Sequence, residues 1–134
     1  MGAWGTGIFD DDAAYDWTEE LQREPLTFMR RAFETALRQD YVGIDESHAV
    51  TVAAAHMDAI LHRTPYRHDD QDAFDAWLAV HATLAVGDLK KLAVEALDQL
   101  LNGSELDDEW SGAPQYAEWR RTLTTLRSRL ASGI

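Results

Sequence analysis

Four carboxylates crowd one short stretch near the start of the chain: Asp10, Asp11, Asp12 and Asp16. Carboxylate oxygens are the hard ligands that calcium and magnesium prefer. Asp12 and Asp16 stand four apart and would share a helix face, so Asp10, Asp12 and Asp16 are the candidate cation ligands. The spacing is not that of an EF-hand, whose glycine and closing glutamate are both missing here. The same acids have a simpler reading. At a helix N-terminus they accept hydrogen bonds from free N–H groups and complement the helix dipole, with Asp12 as the cap.

A second polar cluster is the stretch HRTPYRHDDQDAFD, residues 62–75. If it folds back as a loop, His62, Tyr66, His68, Asp69, Asp70 and Asp72 supply a general base or metal ligands. As a solvated connector, it leaves one of Asp69, Asp70 or Asp72 to cap the helix that follows. The other histidines do not converge. On one helix, His48 and His62 would share a face but lie ~21 Å apart, and His56 stands apart from both. His81 sits on an apolar stripe, where a hydrogen-bonded core histidine is expected. HExxH and GxSxG motifs are absent. There are no cysteines, which excludes disulfides, zinc-thiolate sites and a thiol nucleophile. Gly5-Thr6-Gly7 lacks the third glycine, the lysine and the preceding strand of a phosphate loop, and aspartates follow it. No cofactor is expected.

The 134 residues carry 24 acidic and 12 basic side chains, a net charge of -12. A duplex binder needs a basic footprint to displace counterions, so nucleic acid is not an expected partner. An acidic surface steers toward basic partners instead. No apolar run reaches the length of a membrane span. No basic segment followed by an apolar run opens the chain. The expectation is a cytoplasmic protein without a membrane role. The N-myristoylation match at Met1–Thr6 and the Asn102-Gly103-Ser104 sequon are set aside as chance.

The elements that would hold these residues are helical almost throughout. Asp12 to about Arg23 forms a first helix with Ala13, Ala14, Trp17 and Leu21 on one face. Pro25 opens a second, with Leu26, Met29, Phe33 and Leu37, which Gly43 stops. Asp45 caps a third through about Arg63, with a small-sided stripe of Val50, Ala53, Ala54, Met57, Ile60 and Leu61; Thr64-Pro65 ends it. A fourth carries Phe74, Trp77, Leu78, His81 and Leu84. Gly87 and Asp88 restart the chain into a fifth, with Leu89, Leu92, Ala93, Ala96, Leu97 and Leu100. An acidic segment, SELDDEW, follows with Ser104 as a cap. Pro114 then opens a last helix with Tyr116, Trp119, Leu123, Leu126 and Leu130. No stretch alternates with period 2 long enough to be a strand. The expected fold is all-α: one domain over residues 1–134, a bundle of five or six helices, with residues 1–11 as an ordered arm pinned by Trp4 and Phe9.

Charge suggests a neighbour relation. Residues 10–24 carry seven acids against Arg23, whereas residues 114–134 carry four arginines against Glu118. The first and last helices are therefore expected side by side, with Trp17 and Leu21 facing Trp119 and Leu123.

The opening MGAWGTGIFDDDAAYDW resembles that of a bacterial family defined as a domain of unknown function, number 4259. Its members begin Met-Gly-x-Trp-Gly-x-Gly-x-Phe-Asp-Asn-Asp before a short acidic helix. NGSELDDEW and EWRRTLTTLRSRL resemble its later segments, so the likeness spans most of the chain. Asp11 stands where asparagine is usual, and Glu109 precedes Trp110 where leucine is usual. The resemblance implies no activity and no catalytic residues.

These readings favour a small interaction module over an enzyme. It would bind a protein partner, a basic one by charge, through an acidic, aromatic-bearing face, as adaptors, antitoxin-like and immunity-like proteins do. The candidate binding residues are Trp4, Phe9, Asp12, Asp16, Trp17, Tyr66, His68, Asp69 and Asp70. The alternatives are a divalent-cation-dependent enzyme, using the N-terminal aspartates or the His68–Asp70 loop, and a small-molecule binder with an aromatic pocket between helices.

Overall fold

The computed structural model describes residues 5–133, so Trp4 lies outside the described residues. Seven α-helices follow in order: α1 (Asp12–Arg23), α2 (Pro25–Leu37), α3 (Ile44–His62), α4 (Gln71–Val80), α5 (Lys90–Asn102), α6 (Glu105–Ser111) and α7 (Tyr116–Ala131). A 3₁₀ turn, Gly87–Leu89, leads into α5. Among the described residues there is no strand, only an isolated parallel bridge between Val42 and Ser104. There the Val42 N–H donates to the Gly103 carbonyl (3.1 Å), and the Glu105 N–H donates to the Val42 carbonyl (2.8 Å). This clamp ties the α2–α3 loop to the start of α6.

α3 is the axis of the fold. Every residue from Ser47 to Ile60 is buried, and α1, α2, α5, α6 and α7 all pack on it. Five alanines in that run, Ala49, Ala53, Ala54, Ala55 and Ala59, let the surrounding helices approach closely. A helix apolar all round belongs inside a bundle rather than on its surface.

Several of the polar groups trapped on α3 find hydrogen-bond partners. The Ser47 hydroxyl donates to the Gly43 carbonyl at 2.7 Å and the Thr51 hydroxyl to the His48 carbonyl at 3.0 Å. Asp58 accepts from Tyr66 Oη at 2.7 Å and from Arg129 Nε at 2.8 Å.

Several helix ends differ from the sequence reading, the most at α2, which stops at Leu37 with Arg38 as its C-cap, well before Gly43. Asp11, not Asp12, caps α1, its carboxylate accepting from the Ala13 N–H. Gly43 stands at the N-cap of α3 without a side-chain cap, and Asp45 is in the first turn. α4 ends at Val80, so His81 is its C-cap and Leu84 lies beyond it. α7 begins at Tyr116 with Gln115 as N-cap. The acidic segment after Ser104 is itself a helix, α6, which raises the helix count above the five or six expected. Its seven residues show too little periodicity to read, yet Leu106 and Trp110 are buried, and Ser104 Oγ accepts from the Asp107 N–H as expected.

The expected pairing of first and last helices is not the main packing of either. α1 packs on α2 and α3, while α7 packs on α3, α5 and α6. Trp17 meets Phe28 of α2, and Trp119 stacks on Trp110 of α6. The α7 arginines find acids on other elements: Arg120 pairs with Asp107, Arg127 with Asp98 and Arg129 with Asp58. Ion pairs that keep solvent contact contribute only ~0.2–1 kcal/mol. Apolar packing therefore chose the neighbours, and the charges followed.

Candidate functional site

The sequence placed its candidate residues in two segments, and the structure brings Phe9 of the first against Tyr66 and His68 of the second, while Asp12, Asp16 and Trp17 lie elsewhere on α1. Phe9 is buried in a nest of rings. It meets His56 of α3 (centroids 5.6 Å apart), Tyr66 (5.8 Å) and His68 (5.1 Å) of the α3–α4 connector, and Phe74 of α4 (5.3 Å). His68 stacks on Phe74 at 4.8 Å. Tyr15 Oη donates to the Phe9 carbonyl (2.7 Å) and accepts from the Asp69 N–H (3.1 Å), tying the arm, α1 and the connector together.

Asp10 is folded back on its own loop. Its carboxylate accepts from the Gly7 N–H at 3.2 Å and faces Arg67 at 3.6 Å. The glycines are needed for that approach: a Cβ on Gly5 would lie 2.5 Å, and one on Gly7 2.8 Å, from Asp10 Oδ2. The Gly-x-Gly-x-Phe-Asp stretch therefore makes a carboxylate-closed turn that delivers Phe9 to the core.

The candidate cation ligands do not converge. Asp10 is buried in this turn, whereas Asp12 and Asp16 are exposed on α1. Among the described residues, no group of three or more His, Asp or Glu side chains could hold a metal ion. In the connector, Asp70 caps α4 by accepting from the Ala73 N–H at 3.2 Å, and its own N–H donates to His68 Nδ1 at 3.0 Å. Asp69 is exposed, with its backbone held by Tyr15. Tyr66 donates to Asp58, and burial, first of all, pushes its hydroxyl pKa up.

His56 is the site residue that the sequence reading did not single out. It is fully buried, and Nδ1 faces the Val52 carbonyl at 2.8 Å, so Nδ1 carries the proton. Nε2 is then a bare acceptor, buried and unpartnered among the described residues. His68 has the opposite tautomer, because its Nδ1 accepts an N–H, and its Nε2–H is also buried and unpartnered. Burial pushes the His56 pKa down to about 4, helped by nearby His68, and burial also lowers that of His68. Burial thus favours the neutral form of both imidazoles. A histidine inside an otherwise apolar helical run was the available signal. His81 does make the expected hydrogen bond, from Nδ1 to the Trp77 carbonyl at 2.9 Å, but it is only half-buried, stacked on Trp77.

Two grooves mark the surface, and the larger borders this nest through Tyr66 and Phe74. One, of about 370 Å³, lies between α1, α2 and α3. Its floor is Trp17, Phe28, Ala32 and Ala49, and Glu20, Asp45 and Glu46 stand on its rim against a single Arg31. A shallower extension of about 200 Å³ continues past Glu20, Arg23 and Glu24. The second groove, of about 630 Å³, runs between the end of α3, the connector and α4.

Fold and site together describe a small, acidic, all-helical chain in which the turn over residues 5–10 carries Phe9 into the core. No catalytic constellation stands out among the described residues. The family model described as "Domain of unknown function (DUF4259)" matches residues 2–122. The chain belongs to that family, and the match takes in the arm, the nest and the linings of both grooves. No curated protein and no solved structure matches the chain.

Proposed function

We propose that the protein is an interaction module that receives a basic segment of a partner protein in the groove between α1, α2 and α3. The observation that carries this is the pairing of an aromatic floor with an acidic rim. The Trp17 and Phe28 rings stand 5.9 Å apart, and Glu20, Asp45 and Glu46 outnumber Arg31 around them. A lysine or arginine has an apolar stem and a charged head. Its stem suits the aromatic floor, the cation gains from the ring face, and the head reaches the carboxylates. The net charge of -12 speeds encounter with a basic partner from a distance. Of the residues the sequence offered, Trp17 lines this groove, with Asp12 and Asp16 on the same helix.

The test is calorimetric titration with a synthetic helical peptide bearing arginines at i and i+4. Binding should weaken steeply with salt. Charge reversal at the rim, Glu20→Lys with Glu46→Lys, should weaken it by roughly tenfold or more. Absence of binding, or binding indifferent to the charge reversals, would overturn the reading.

A further inference from the structure

The larger groove has the opposite chemistry. Its floor is apolar, formed by Ile60, Tyr66, Phe74 and Leu78, and its mouth carries Arg63 and Arg67. Arg63 is the C-cap of α3 and the one non-glycine residue with positive φ among the described residues (φ 55°). The connector departs from the helix at this point, and Thr64-Pro65 carries it away. Among the described residues, no carboxylate pairs with Arg63. The lining's formal charges are Arg63 and Arg67 against Asp75; Arg67 also faces Asp10 at 3.6 Å, and Asp75 keeps its negative charge while accepting from Gln71 Nε2 at 2.9 Å. One free guanidinium therefore stands at the mouth of an apolar trough, in a protein whose surface is otherwise dominated by acid.

The wall of the trough is lightly built. α4 buries only Phe74 and is tied across by one weak bond, from Trp77 Nε1 to the Gln22 carbonyl at 3.3 Å. Val80 at its end is 78% exposed. The volume of about 630 Å³ falls within the range of small-molecule sites.

We propose that this groove binds a small amphipathic monoanion, an aliphatic or aromatic carboxylate, with its apolar body along Ile60, Phe74 and Leu78 and its carboxylate on Arg63. Two arginines against one aspartate leave the lining a formal charge of +1, and Arg63, which no carboxylate pairs with among the described residues, is the cation placed to take an anionic head. A guanidinium grips a carboxylate through paired N–H donors. This site is separate from the α1–α2–α3 groove, so either proposal stands if the other fails.

The probe is octanoate, compared with octanol and octyltrimethylammonium, followed by methyl NMR shifts of Ile60 and Leu78 and by calorimetry. Octanoate should bind and move both methyl sets, octanol should bind more weakly, and the cation should not bind. Arg63→Gln should weaken octanoate binding by roughly tenfold, the loss of one charged hydrogen-bonding partner. Arg67→Gln should weaken it less, because Asp10 shares that guanidinium. Ala79→Trp should block the trough without touching the core, and Glu20→Lys should leave octanoate binding unchanged. Equal binding of the anion and the cation, indifference to Arg63→Gln, or shifts confined to residues around Trp17 would each overturn the proposal.

Discussion

Phe9→Ala tests whether the opening stretch is structure. Phe9 is 2% exposed, and full burial of a phenylalanine removes about 150–250 Å² from water. At about 25 cal/mol per Å² that is at most ~4–6 kcal/mol, an upper bound because the unfolded chain also buries some of that ring. Measured truncations of buried phenylalanine fall at about 3–5 kcal/mol, and that is the expected loss here. The damage should also be localised, since the ring touches α3, the connector and α4 together. Urea unfolding gives the total, with the slope serving as a check that the denatured state is unchanged. Amide exchange gives the location: protection of Ala73–Val80 should fall by more than that of α5. Phe9→Leu, which keeps most of the volume, should cost less than about 1.5 kcal/mol. A Phe9→Ala loss below about 1 kcal/mol, or α4 protection no different from wild type, would mean that the arm lies on the surface without holding anything.

Two further outcomes follow from the buried polar groups. His56 is held down to about 4 by burial against about 6.5 in the unfolded chain, so between those values the unfolded state binds the extra proton. Its contribution is complete above about pH 6.5 and is lost as pH falls toward 4, on the order of 3 kcal/mol. His56→Gln should flatten that part of the urea-midpoint profile, and an unchanged acid limb would show that carboxylates alone govern it. Arg129→Met strands the Asp58 carboxylate, whose side chain is 0% exposed, and should cost about 3–5 kcal/mol. Asp58→Asn leaves a guanidinium that is 35% exposed and can rehydrate, so its cost should be nearer 1–2 kcal/mol. Thermal unfolding of the two variants side by side reads the order, and the reverse order would contradict it.

The helices were legible wherever periodicity and punctuation agreed. Pro25, Thr64-Pro65 and Ser104 mark boundaries by fixing φ, excluding the helical region or offering a hydroxyl to a free N–H, all of which are local effects. The long-range pairs were not legible. Arg129 and Asp58 are 71 residues apart, and nothing in either segment names the other. Segment charge was a poor guide for a physical reason. Partly exposed ion pairs are too weak to choose a fold, so α7 went where Trp119, Leu123, Leu126 and Leu130 could be buried. The depth of α3 was legible in principle. Its alanines were read as one small-sided stripe, whereas apolar residues spread over every side of the helix already imply neighbours all round.

The glycines of the opening stretch show how a functional-looking motif resolves into structure while still shaping a functional surface. Gly5 and Gly7 are small because the Asp10 carboxylate lies where their side chains would be. That carboxylate faces Arg67 of the connector, and Phe9 beside it packs on Tyr66 and His68 of the same connector. The connector is also one wall of the larger groove, through Arg63, Tyr66 and Arg67. The described part of the arm, residues 5–11, contributes no atom to the lining of that groove but packs against the connector that forms its wall. Partial engagement of Arg67 by Asp10 leaves Arg63 as the free cation at the mouth. The four aspartates that first suggested a cation site have instead divided into separate tasks. Asp10 closes a turn, Asp11 caps a helix, and Asp12 and Asp16 stay in solvent on α1, the helix that carries Trp17. The acidic rim of the first groove comes instead from α1 and α3, through Glu20, Asp45 and Glu46, and the arm reaches the second only through the connector that carries Arg67.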